Sequence, residues 1–103
     1  MTAATTLPAP SVDLDAALDV AVGASWQPVG NPDATTLARR CVKLLREGAA
    51  GDAWYEGELA CRLVKRGLLA FSERLDPARR TDRLVLTEKG SLALILLEGA
   101  VSS

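Results

Sequence analysis

Apolar residues recur at helical spacing in four stretches of the chain, and this pattern predicts four helices. The first helix is expected over about residues 12–22, with Ser11 as its N-terminal cap and Gly23 as its end. The second is expected over about residues 34–47, with Asp33 as its cap. The apolar faces consist of Leu14, Ala17, Leu18 and Ala21 in the first helix, and of Leu37, Cys41, Leu44 and Leu45 in the second.

A glycine-rich turn leads from the second helix into a third. Gly48 is expected to end the second helix, and Asp52 to cap a third helix over about residues 53–66. Gly67 is expected to end that helix in the left-handed conformation that follows many helices. The residues predicted to point inward from it are Leu59, Ala60, Leu63 and Val64.

Two short strands and a last helix follow. The strands are expected over residues 68–74 and 82–87, joined by a turn that starts with Asp-Pro. Thr87 is expected to cap a helix over about residues 88–99, which is apolar on nearly all sides. That helix is expected to pack on the first helix or on a second subunit. The predicted class is therefore mainly α with a small β-hairpin, an α+β protein.

The length of 103 residues fits one small domain with an N-terminal extension. Residues 1–10 contain two prolines and small side chains, which predicts a disordered arm. Residues 11–32 are expected to form the first helix and a proline-containing linker. Residues 33–103 form the predicted folded domain.

The charges are unevenly distributed along a chain whose net charge is −1. Four of the thirteen acidic residues and none of the twelve basic residues lie in residues 1–33. The folded part is therefore mildly basic behind an acidic lead-in, which permits DNA binding without requiring it. The abundance of Ala and Arg is typical of a bacterial or phage protein from a GC-rich genome.

The reactive residues argue against catalysis and metal binding. The chain has no histidine and two cysteines, so it lacks the commonest general base and the ligands of a four-coordinate zinc site. We therefore expect no enzyme activity, no metal and no cofactor. No apolar run approaches the ~18 residues that span a bilayer, and no signal peptide is recognisable. These features predict a cytoplasmic protein without a membrane partner.

Three motifs in residues 62–90 resemble those of winged-helix transcription regulators, most closely the MarR type. A helix ends in L-V-K-R-G-L at residues 63–68, a turn reads D-P-A-R-R at residues 76–80, and L-T-E-K-G at residues 86–90 opens the last helix. The resemblance implies a winged helix-turn-helix fold. It further implies a small regulator that binds double-stranded DNA, as a homodimer.

The resemblance also implies a role for each element. Helix 53–66 would be the recognition helix in the major groove, helix 34–47 would support it, and the hairpin would be the wing. The wing tip would grip phosphates or the minor groove through its guanidinium groups. The residues expected at the DNA are Arg74, Arg79, Arg80 and Arg83 in and beside the wing, Arg62 and Lys65 on the recognition helix, and Arg39 and Lys43 on the supporting helix.

Alternative interpretations follow from the same residues. The cations of helix 34–47 also fit a solvated helix surface, and a charged hairpin tip also keeps a sheet edge soluble. The recognition helix would start with two aromatic residues and two glutamates, and carboxylates repel phosphate. Trp54 and Tyr55 are then either core anchors or, with Glu58, an exposed surface for a protein partner. In the second case the protein is a winged-helix interaction module that does not bind DNA.

The two cysteines are expected to differ. Cys41 lies on the predicted buried stripe and fits a small core residue. Cys61 lies off the buried line of its helix and is expected to be partly exposed, where a redox-sensing thiol is an alternative beside Arg62.

Overall fold

The computed structural model describes residues 13–72 and 83–102. The predicted arm at residues 1–10, the predicted cap Ser11 and the turn at residues 76–80 lie outside these ranges. Within them the fold is mainly helical with a small antiparallel sheet, so the predicted α+β class is confirmed. The elements are α1 (Leu14–Ala21), α2 (Ala34–Ala49), β1 (Ala53–Trp54), α3 (Gly57–Lys65), β2 (Leu69–Phe71), β3 (Arg83–Leu86) and α4 (Glu88–Ser102).

Aspartates cap the first two helices. The Asp13 carboxylate accepts a hydrogen bond from the Asp15 amide at 3.2 Å, so α1 begins at Leu14, two residues later than predicted. The Asp33 carboxylate accepts from the Thr36 amide at 2.7 Å, which confirms Asp33 as the cap of α2. Hydrogen bonds from the side chain and the amide of Thr36 hold the pKa of Asp33 below its ordinary value.

The end of α2 and the start of α3 differ from the prediction. Helix α2 continues through the buried Gly48 to Ala49, and a Cβ atom at Gly48 would lie 2.6 Å from the Leu69 side chain of the sheet. Ala53 and Trp54 form strand β1 instead of the first turn of a helix capped by Asp52. Gly57 has a φ of +86°, a left-handed conformation that interrupts any helix running on from residue 53. Helix α3 therefore begins at Gly57.

The three strands form one antiparallel sheet in the order β1-β3-β2. Ala53 of β1 and Phe71 of β2 both lie opposite Leu84 of the central strand. Directly opposed residues share a face of an antiparallel sheet, so these three residues lie on the inner face, where Ala53 and Leu84 are buried. Trp54 lies opposite Arg83 on the outer face.

Two of the sequence motifs meet where α3 ends and α4 begins. Gly67, with a φ of +79°, closes α3 through bonds from its own amide to the Val64 carbonyl and from the Leu68 amide to the Leu63 carbonyl. The Thr87 hydroxyl donates to the Gly67 carbonyl at 2.7 Å and accepts from the Gly90 amide at 2.9 Å. Both predicted roles, Gly67 as the helix end and Thr87 as the cap of α4, are confirmed.

Gly90 is required by close packing at the same point. A Cβ atom at Gly90 would lie 2.1 Å from the Leu68 carbonyl oxygen, which belongs to the backbone and cannot rotate away. The glycine of L-T-E-K-G thus lets the first turn of α4 lie directly on the end of α3. This contact fixes α4 against the sheet.

The core lies between the helices and the inner face of the sheet. Helix α4 packs against both α2 and α1, so the prediction that it contacts the first helix is confirmed. None of the helices in residues 13–72 and 83–102 is long and apolar enough to cross a membrane. The large side chains that are fully buried are Val22, Cys41, Leu45, Leu63, Leu68, Leu69, Leu84 and Leu97.

Candidate functional site

The outer face of the sheet carries a pair formed by an exposed Trp and a half-buried Arg at the end nearest the hairpin connection. The Arg83 guanidinium carbon lies 5.0 Å from the centroid of the Trp54 ring, within the range of a cation–π interaction. Trp54 nevertheless remains 47% exposed. The two side chains meet because their residues are register partners on neighbouring strands.

At the same end of the sheet, the inner face carries a pair of aromatic rings. The rings of Tyr55 and Phe71 lie 5.0 Å apart, at an interplanar angle of 55°. Tyr55 is 38% exposed and Phe71 47% exposed. The Tyr55 hydroxyl donates to the Cys61 sulfur at 3.2 Å, which ties this pair to α3. We call Trp54, Tyr55 and Phe71 the aromatic end of the sheet.

The end of α1 lies against the side of α3 that carries Arg62. Arg62 Nε donates to the Val22 carbonyl at 2.7 Å, and Arg66 Nη2 donates to the Asp19 carbonyl at 2.9 Å. The last carbonyls of a helix have no partner within the helix, and α1 carries no basic residue in its last turn. Two arginines of α3 therefore supply both the donors and the positive charge that the C-terminus of α1 favours.

The linker after α1 continues along the same side of α3. The Glu58 carboxylate accepts a hydrogen bond from the Val29 amide, and the Arg62 guanidinium lies 5.9 Å from the Trp26 ring centroid. Trp26, Glu58, Cys61, Arg62 and Lys65 line one small pocket. We call residues 19–29 the cover of α3. The guanidinium groups of Arg62 and Arg66 and the carboxylate of Glu58 thus bind the cover.

The basic residues of α2 form a separate surface. Arg39, Lys43 and Arg46 line a groove between α2 and α4 with Val101 and Glu98. Arg46 forms an ion pair with Glu98. Arg39 and Lys43 are exposed, so the two predicted DNA contacts on α2 remain available to a ligand.

The predicted site residues are thus distributed over three surfaces. Arg83 lies at the aromatic end, Arg62 lies under the cover, and Arg39 and Lys43 lie in the α2–α4 groove; Lys65 is exposed beside the cover. The wing residues Arg74, Arg79 and Arg80 lie outside the described ranges. Trp54 and Tyr55 are exposed, so their interpretation as core anchors is wrong.

Sequence reasoning missed three residues of these surfaces. Phe71 was assigned to a strand without a role, although it is the chain's single phenylalanine. Trp26 lies against Arg62, a position that could not be deduced from the sequence. Arg66 lies one helical turn after Arg62, and this i, i+4 spacing is the signal that could have identified a shared contact surface.

The cysteines behave as expected from their positions. Cys41 is buried, and desolvation raises the pKa of its thiol to about 12. Cys61 is partly exposed. The described part of the chain holds no group of three or more His, Cys, Asp or Glu side chains that could bind a metal ion.

No protein-family model, curated protein or solved structure matches this chain. Function is therefore inferred from the geometry of these surfaces and the chemistry of their residues.

Proposed function

We propose that the protein is a winged-helix DNA-binding regulator whose principal contact with duplex DNA is the β2–β3 hairpin. The observation that carries the proposal is the chain order β1-α3-β2-β3-α4 combined with the sheet order β1-β3-β2. This order places a hairpin directly after α3, as a wing follows a recognition helix. One difference from a helix-turn-helix is that β1 separates α2 from α3, where that motif has a turn of 3–4 residues.

The chain segment that joins β2 to β3 is rich in arginine. Arg74, Arg79 and Arg80 belong to the segment that joins β2 to β3, and Arg83 stands at the start of β3. Guanidinium groups bind phosphate in a bidentate manner and follow narrow minor grooves. The hairpin is therefore suited to contacts with the DNA backbone, which position a protein without reading sequence.

Helix α3 is less suited to the first contact with DNA. The cover occupies its solvent-facing side, and Arg62 and Arg66 already bind carbonyl groups of α1. The exposed carboxylates of Glu56 and Glu58 at its start repel phosphate. These contacts favour the arginines of the β2–β3 connection over α3 as the first contact with phosphate.

The test compares two double charge reversals that change the net charge equally. Arg79→Glu with Arg80→Glu alters the hairpin, and Arg39→Glu with Lys43→Glu alters α2. We expect the hairpin variant to lose binding to a generic duplex at low salt, and the α2 variant to retain most of it. Fluorescence anisotropy with labelled duplex measures both. Equal losses in the two variants, or retained binding in the hairpin variant, would exclude the hairpin as the principal contact.

A second candidate function is a winged-helix module that binds a protein partner. The observation in its favour is the exposure of all three residues of the aromatic end, since Trp and Tyr are enriched among the residues that dominate binding energy at interfaces. Glu56 and Glu58 would add an acidic border suited to a basic partner. Under this candidate, Trp54→Ala abolishes partner binding, and the parent chain does not retain DNA at moderate salt.

The proposal includes a homodimer in the cytoplasm. Leu92 and Ile95 lie one helical turn apart on α4 and are 61% and 65% exposed. Regulators that read two-fold symmetric sites use two subunits. Light scattering should give twice the chain mass for the parent and the chain mass for Leu92→Glu. A monomeric parent would remove the dimer from the proposal and leave the hairpin contact to be tested separately.

A further inference from the structure

We propose that the cover, residues 19–29, is an intramolecular competitor for DNA that keeps the cations of α3 from the duplex until the two separate. The inference rests on the proposed DNA-binding function. Arg62 of α3 and Arg66, which directly follows the helix, each donate to a carbonyl at the end of α1. DNA phosphates and the end of α1 therefore compete for the same guanidinium groups.

The cover is held by polar contacts with α3 and by two half-buried or buried side chains, Trp26, which packs against the core, and Pro28. Besides the two arginines, the Glu58 carboxylate binds the Val29 amide, and the Trp26 ring rests near Arg62. The hydrogen bonds of Arg66 and Glu58 are exposed to solvent. Exposed hydrogen bonds exchange readily for bonds to water or to a ligand, because the net stabilisation by each is small.

Opening does not require α1 to leave the core. Ala17, Leu18, Ala21 and Val22 anchor α1 through buried side chains. The residues after Val22 form no helix or strand before α2 begins at Ala34. The side chains of Arg62 and Arg66 can therefore rotate from the α1 carbonyls to phosphate oxygens while α1 stays in place.

The exchange of partners favours DNA when a duplex is present. A carbonyl oxygen is a neutral acceptor, whereas a phosphate carries a full negative charge and accepts two parallel bonds from one guanidinium group. The bonds from Arg62 and Arg66 to phosphate are thus stronger than those they leave. The remaining contacts of the cover, at Glu58 and Trp26, set how easily this exchange occurs.

The test uses two variants that each remove one exposed carboxylate from the start of α3. Glu58→Ala breaks the contact with the Val29 amide, and Glu56→Ala is the matched control, since Glu56 makes no side-chain capping bond. We expect Glu58→Ala to bind a generic duplex roughly fivefold more tightly than Glu56→Ala, the effect of losing one hydrogen bond that holds the closed state. Trp26→Ala, compared with Gln27→Ala, should shift affinity in the same direction.

The salt dependence of duplex affinity tests whether the new contacts are made to phosphates. Each phosphate contact adds about 0.9 to the slope of log K against log salt, so release of Arg62 and Arg66 should steepen the slope by about 2. The slope of Glu56→Ala should equal that of the parent. A tighter complex with an unchanged slope would overturn the assignment of these two arginines.

A second measurement follows the cover without DNA. In a Trp54→Phe background, Trp26 is the only tryptophan, and acrylamide quenching of its fluorescence reports its exposure. Quenching should rise in Glu58→Ala and stay unchanged in Glu56→Ala. Duplex binding with equal affinity in both variants would overturn the cover as a competitor and leave the proposed function intact. Absence of duplex binding in every chain would overturn the proposed function itself, whatever the quenching.

Discussion

Two regions of the molecule, the solvent-facing side of α3 and the aromatic end of the sheet, differ in how far their functional side chains are covered. On the solvent-facing side of α3, the chain covers its own arginines with residues 19–29. At the aromatic end of the sheet, three aromatic residues remain more than one-third exposed. The comparison teaches that residue type alone does not identify a binding surface, because Arg62 and Arg83 have very different surroundings.

This difference has an energetic consequence. Groups under the cover stabilise the fold, since they satisfy the carbonyls at the end of α1. Groups at the aromatic end contribute little to the core, so their truncation should affect binding more than folding. The following changes separate the two effects, beginning with the largest.

Arg62→Ala should reduce the free energy of unfolding by about 1.5–3 kcal/mol, the usual contribution of a hydrogen bond to a charged group. It removes the bond to the Val22 carbonyl and the contact with the Trp26 ring. Lys65→Ala is the control, because Lys65 is an exposed cation on the same helix. Urea denaturation measures both changes. A loss for Lys65→Ala as large as that for Arg62→Ala would show that the arginine bond contributes nothing specific.

The two cysteine thiols also differ in exposure, since Cys41 is buried and Cys61 is partly exposed. Because burial raises the pKa of Cys41 to about 12, the folded protein keeps this thiol neutral while the unfolded chain ionises near its ordinary value of 9.0. The stability that this difference provides is fully present below pH 9 and is lost as pH rises towards 12, by up to about 1.4 kcal/mol per pH unit. Denaturation at pH 8 and pH 10 should show the loss in the parent chain, and Cys41→Ala should reduce it. A pH dependence unchanged by Cys41→Ala would contradict this origin.

Trp54→Ala should cost only about 0.5–1 kcal/mol of stability, the usual contribution of an exposed cation–π contact. Its partner is the Arg83 guanidinium, 5.0 Å from the ring centroid. Trp54→Phe should retain most of this stability, because the ring face is preserved. Thermal unfolding measures both variants. A cost of several kcal/mol for Trp54→Ala would mean that the aromatic end belongs to the core.

The smallest expected effect concerns the cap of α2. Hydrogen bonds from the side chain and the amide of Thr36 lower the pKa of Asp33, so the stabilisation they provide is present above its ordinary pKa of 3.8 and is lost as pH falls below that value. Asp33→Asn keeps a capping oxygen without a titrating group. The difference in stability between the parent and this variant should therefore shrink between pH 5 and pH 3. A constant difference over that range would exclude the cap as its source.

The sequence predicted those parts of the fold that depend on local chemistry. Asp33, Gly67 and Thr87 act as predicted, since caps and left-handed helix ends are set by residues within one turn of the chain. Strand β1 was not predicted, because two residues are too few to show the alternating pattern of a strand. Only their pairing with Leu84 and Arg83 makes them a strand.

The candidate site was predictable in composition but not in arrangement. The arginines were recognised, yet the hydrogen bond between Arg62 and Val22 joins residues forty positions apart, and no local pattern encodes that pairing. The exposure of Trp54 follows from its strand register, which places it opposite Arg83 on the outer face. Long-range register and side-chain pairing therefore determined which predicted residues remain open to a partner.

Amide hydrogen exchange of the whole chain, with and without a generic duplex at low salt, tests the central claim most directly. The account predicts slowed exchange in residues 69–86, the hairpin and its strands, with little change along the α2–α4 groove around Arg39 and Lys43. Slowed exchange confined to α2 and α4, with the hairpin unchanged, would contradict the hairpin as the surface that binds DNA.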